Sequence, residues 1–132
     1  MSALAETAGG VYTLDLETGE TESFVPGASL DPPAPPETGL PRVLAAAAAG
    51  STVVAAVDAK PPLLVSHDAG RTWRESGRGL RPGRSIAVSE LDPDRLLFAA
   101  GPRIYLSRDG GRFWSPLPLE LPEDVVALAW SE

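Results

Sequence analysis

The sequence predicts an all-β repeat protein, and three observations carry that reading. The octapeptide Ser107-Arg108-Asp109-Gly110-Gly111-Arg112-Phe113-Trp114 has a twin in Ser66-His67-Asp68-Ala69-Gly70-Arg71-Thr72-Trp73, 41 residues upstream. Self-similarity at a fixed period of about 40 residues marks a chain built from one supersecondary unit used repeatedly. Each copy of S-x-D-x-G-x-x-W also follows a short apolar run, Leu63-Leu64-Val65 or Ile104-Tyr105-Leu106. Finally, the 132 residues hold 13 glycines and 14 prolines, which favour many turns over long helices.

The octapeptide reads as a tight turn between two antiparallel strands. The carboxylates of Asp68 and Asp109 are expected to accept hydrogen bonds from backbone amides two residues on, as in an Asx-turn, and the hydroxyls of Ser66 and Ser107 to tie off another backbone group. Gly70 and Gly111 stand where a positive φ is needed. Trp73 and Trp114 open the returning strand and supply a large packing surface.

On these residues the chain resembles the Asp-box (BNR) repeat family of sialidases, sortilin-type receptor ectodomains and photosystem II stability factors. The resemblance implies a β-propeller of four-stranded blades. It also implies that the octapeptide is a structural turn between the third and fourth strands of a blade, remote from any ligand. Ser66, Asp68, Ser107 and Asp109 are therefore read as structural rather than catalytic.

Taken in order, the chain starts with a blade over 2–24 that carries a degenerate turn. Aligned without a gap, Asp15 falls on Ser107, Glu17 on Asp109 and Gly19 on Gly111, so acceptors are retained. Glu22 replaces the tryptophan, which predicts a less firmly anchored fourth strand. Residues 25–42 form a proline-rich inter-blade loop. Its Pro32-Pro33-Ala34-Pro35-Pro36 run reads as a stiff connection in preference to a polyproline ligand for an SH3 or WW module. A second blade spans 43–76. Ala45 to Ala49 have helical propensity, but the repeat frame makes them an innermost strand, where small residues fit.

Five arginines lie between Arg71 and Arg84 at helical spacing, yet Gly77, Gly79, Pro82 and Gly83 forbid a helix. A solvated turn is the preferred reading over an anion-binding loop. The third blade spans 85–118. Residues 125–132 then match a first strand, whereas the chain begins on a second strand. This permutation predicts three blades per chain. Because closed propellers have about 4–8 blades, it also predicts a six-bladed ring formed by a head-to-tail homodimer, each 125–132 strand completing the partner's first blade.

Function is less legible. A net charge of −7 argues against nucleic acid and anionic membrane as partners. There is no cysteine, and no metal set or cofactor motif is recognised. His67, the single histidine, reads as a surface residue. No basic and apolar leader is evident, so a cytoplasmic protein is expected. Sialidase-like activity would need an arginine cluster and a Tyr–Glu pair that cannot be assembled from Tyr12 and Tyr105 by spacing. The expected function is a non-enzymatic binding or assembly scaffold for a protein or glycan. The alternative is a glycosidase or lectin-like carbohydrate binder with its site on the axis. Lys60, Arg84 and Arg103 are the candidate ligand-binding cations, on loops of the face opposite the octapeptide turns.

Overall fold

The computed structural model describes residues 1–132 and contains twelve strands and no helix. They form three four-stranded antiparallel sheets. The first is ordered β12 (Ala127–Ser131), β1 (Ser2–Thr7), β2 (Gly10–Asp15), β3 (Thr21–Pro26). The second runs β4 (Val43–Ala49), β5 (Thr52–Val57), β6 (Leu63–Ser66), β7 (Arg74–Ser76). The third runs β8 (Ser85–Val88), β9 (Leu96–Ala100), β10 (Arg103–Ser107), β11 (Ser115–Pro116). The alanine run is thus a strand, because its neighbours Val53, Val54 and Ala56 supply a ladder that a helix would forfeit.

The third sheet is the middle layer. Its strand β8 contacts β4 on one side and β12 on the other, while no strand of the first sheet contacts the second. Strand alternation divides its side chains between two cores. Ile86, Val88, Leu96 and Phe98 pack with Val54, Ala56, Leu63 and Val65 of the second sheet. Ala87, Leu97, Ala99, Ile104 and Leu106 pack with Ala3, Ala5, Leu14 and Leu128 of the first. Burial on both faces explains why this sheet reads as nearly continuous apolar sequence.

The C-terminal strand supplies the first strand that the first sheet lacks. β12 pairs with β1 of its own chain, placing Ala3 opposite Trp130 and Ala5 opposite Leu128. The connection before it explains the outcome. Leu117, Leu121 and Val125 donate their amides to the carbonyls of Ile104, Pro102 and Gly101, and Val126 donates to Glu6. The chain is thereby guided along the third sheet to β1. The sheets therefore fan out in the order second, third, first. Residues 27–42 are long because they return from the outer strand of one end sheet to the inner strand of the other.

The first sheet also departs from the gapless alignment. Leu14 and Leu106 both lie in the core between the first and third sheets, so they face one another rather than the same way round. Equivalent residues of a repeat cannot do this. The first sheet is in effect slipped by one residue, which reverses the face of every side chain. Its outer strand β3, lacking the tryptophan, has six residues against three for β7 and two for β11. Phe24 stabilises it by packing on Tyr12 across the ladder, with ring centroids 4.4 Å apart.

Candidate functional site

The two octapeptide turns are built alike. Ser66 Oγ donates to Asp68 Oδ1 (2.7 Å) and accepts from the Gly70 amide (2.8 Å). Ser107 Oγ does the same with Asp109 Oδ1 (2.9 Å) and the Gly111 amide (2.9 Å). Asp68 further accepts from the Thr72 amide and hydroxyl, and Asp109 from the amides of Arg112 and Phe113, so the donors lie three and four residues on and not two as in an Asx-turn. Each turn needs two successive residues at positive φ: Ala69 (62°) and Gly70 (87°), Gly110 (74°) and Gly111 (92°). The first turn is different. Asp15 accepts from the amides of Glu17 and Thr18, and its carbonyl accepts from Gly19 at φ 75°. The Glu17 side chain is exposed and, unlike its amide, takes no part in this hydrogen bonding.

These contacts fix the electrostatics of the turns. Donation from the Thr72 hydroxyl, then from its amide and from Ser66, holds the Asp68 carboxyl far below its ordinary value. The Phe113 amide does the same in direction for Asp109, and the Glu17 amide for Asp15. The perturbed carboxyls are thus held ionised by hydroxyl and amide donors of their own turns, an arrangement that suits a turn and withholds them from acid catalysis.

The tryptophans play unequal parts. Trp114 packs edge-on to Phe98 (6.1 Å) and donates Nε1 to Ser76 Oγ of the second sheet (2.8 Å), while Ser76 donates to the Gly111 carbonyl. Trp73 is half-buried and stands outside both cores. No sheet lies beyond the second for it to reach.

A cavity of about 610 Å³ lies where the innermost strands of the three sheets converge. Ala46, Ala47 and Ala48 come from β4, Ile86, Ala87 and Val88 from β8, and Leu128, Ala129 and Trp130 from β12. The proline-rich segment, from Leu30 to Pro36, forms its remaining wall. This strap is tied near its ends: Gly27 donates to the Gly9 carbonyl, Leu30 to Glu6 Oε1 (2.8 Å), and Asp58 to the Arg42 carbonyl. Prolines lack the donor needed to extend a ladder, so the segment covers three strand edges without adding a strand.

Asp31, Glu90 and Glu132 bring carboxylates to the cavity. Glu132 accepts from Ser89 Oγ and the Leu91 amide, and Trp130 donates Nε1 to the Ala87 carbonyl (3.3 Å). Sequence reasoning did not single out these residues. The innermost-strand assignments of Ala45–Ala49, 85–90 and 128–132 pointed toward this place without marking it as a site.

The candidate cations lie elsewhere. Lys60 and Arg84 are exposed, and Arg103 is exposed and 3.8 Å from Glu120. None lines the cavity.

No family model matches the sequence, and no curated protein matches it. Among solved structures, the chain is similar to a GH74 enzyme of Niastella koreensis at 21% identity and a TM-score of 0.49. The match covers 93% of this chain and 18% of that one, so this chain spans less than a fifth of the enzyme's length. No helix is present that could cross a membrane.

Proposed function

We propose that this chain is a non-catalytic binding module of the Asp-box propeller type, with its ligand site in the cavity under the proline strap. The observation that carries the proposal is the convergence of three innermost strands on one open cleft, lined mostly by apolar residues and bounded by an indole and carboxylates. An aromatic face and hydrogen-bond acceptors together suit a sugar ring, which has an apolar face and hydroxyl donors. A glycan is therefore the proposed ligand class.

The glycosidase alternative needs two free carboxyl groups flanking the scissile bond. Glu132 is already engaged by Ser89 and Leu91, which favours binding over turnover. The test is a titration with neutral and acidic oligosaccharides, read by indole fluorescence, alongside a chromogenic sialoside. Saturable quenching that disappears in Trp130→Phe, with no product released, is the expected result. Product formation lost in Glu90→Gln would replace this reading with the enzymatic one. Absence of binding across the panel would remove the glycan.

A second copy of the chain is the proposed partner. The second and third sheets meet through Trp114 and Ser76, and the same junction is left open at both ends of the fan. Trp73 stands at one end and Val25, 55% exposed on β3, at the other. Two fans placed end to end would repeat the junction and close a ring of six sheets, with each β12 kept in its own chain.

A further inference from the structure

A second site lies among the octapeptide turns and shares no residue with the strap cavity. Six residues, all polar, line a cleft of about 500 Å³: His67 and Arg74 from the second sheet, Asp94, Arg108, Asp109 and Arg112 from the third. We propose that this cleft binds a tetrahedral oxyanion, a phosphate or sulfate group carried by a small molecule.

The charge distribution is the first argument. The chain carries net −7, so cations gathered in one cleft run against its general character. None of the three arginines has a carboxylate within 4.0 Å; the ion pairs of the molecule are Arg95–Asp92 and Arg103–Glu120. Unpaired guanidinium groups present planar forks of donors suited to phosphate and sulfate oxygens. Asp94 and Asp109 set two negative charges against three guanidinium groups, so the cations outnumber the acids in the cleft.

Pre-organisation is the second argument. The His67 ring lies against the Gly110 backbone, where a Cβ would come within 3.0 Å of Cε1 and 3.1 Å of Nε2. Its Nδ1 is 3.4 Å from Thr52 Oγ1, which orients the ring. Gly110 in turn donates to the Asp94 carbonyl (2.9 Å), and Ala69 donates to the Ser51 carbonyl (2.9 Å). Both turns are therefore pinned to the neighbouring hairpin, and the arginines project from fixed backbone.

The test is a nuclear magnetic resonance titration of the whole chain with inorganic phosphate and, separately, inorganic sulfate at constant ionic strength, followed at His67 Cε1–H and the Gly110 amide. Saturable shifts confined to the turns of the second and third sheets are expected, with a dissociation constant at or below about 1 mM. Arg108→Ala and Arg112→Ala should each weaken binding by about tenfold, the worth of one charge-assisted contact, whereas Arg81→Ala should leave it unchanged. A sugar phosphate and a sulfated disaccharide then distinguish the two sources of the anion. Shifts that never saturate, or equal affinity in Arg108→Ala and in the parent chain, would overturn the proposal. Because the strap cavity is read by Trp130, failure here leaves that reading intact.

Discussion

Ala69 occupies a backbone conformation, φ 62°, that its counterpart Gly110 reaches without a Cβ. An L-residue in the left-handed region carries about 1–2 kcal/mol of strain, part of which a glycine returns as unfolded-state entropy. Ala69→Gly should therefore stabilise the chain by about 0.5–1 kcal/mol, and Gly110→Ala should destabilise it by a similar or larger amount, since the new methyl would meet His67. Urea midpoints of the two variants check this. The pH dependence is a second expectation at this scale. Asp15, Asp68 and Asp109 are held below their ordinary value of 3.8 in the fold. Their contribution is fully present above that value and is lost as pH falls through the still lower folded values. Solvent screening keeps each contribution small at these exposed sites. Unfolding followed from pH 7 to pH 2 should show an acid limb below about pH 4, and Asp68→Asn with Asp109→Asn should flatten it. The turn chemistry was legible because serine, aspartate and glycine at these offsets have few other ways to satisfy a hairpin. The slip at Leu14 was not, because a gapless match to Asp15 says nothing about which face a side chain takes.

Among the elements, β9 carries the most. Its residues Leu96, Leu97, Phe98 and Ala99 are at most 1% exposed and feed both cores. Phe98 also stacks on Tyr105 at 6.2 Å and meets Trp114. Phe98→Ala should cost about 3–5 kcal/mol, measurable as a fall in the denaturation midpoint, with near-ultraviolet circular dichroism losing the Trp114 signal. Strand positions were largely legible: apolar runs of four to seven residues between Gly- and Pro-rich turns leave little choice. The strap was legible only as a stiff loop. Its position over the inner strand edges depends on which sheet ends up next to which, a property of the whole fan that local sequence does not encode.

At the scale of the molecule, the fan owes its order to the closure of the first sheet by the C-terminal strand. The permuted termini were readable from the repeat phase, since residues 125–132 match a first strand and residue 2 begins a second. Whether that strand joins its own chain or another depends on the connection that precedes it. Here three backbone hydrogen bonds to the third sheet lead it to its own β1. The most direct measurement is an isotope-filtered nuclear Overhauser experiment on a mixture of labelled and unlabelled chains, observing the cross-strand contacts of Ala3 with Trp130 and of Ala5 with Leu128. Closure within the chain requires these contacts to appear only between protons of the same molecule, whatever the oligomeric state. Contacts between labelled and unlabelled chains, or no contact between these strands at all, would contradict it.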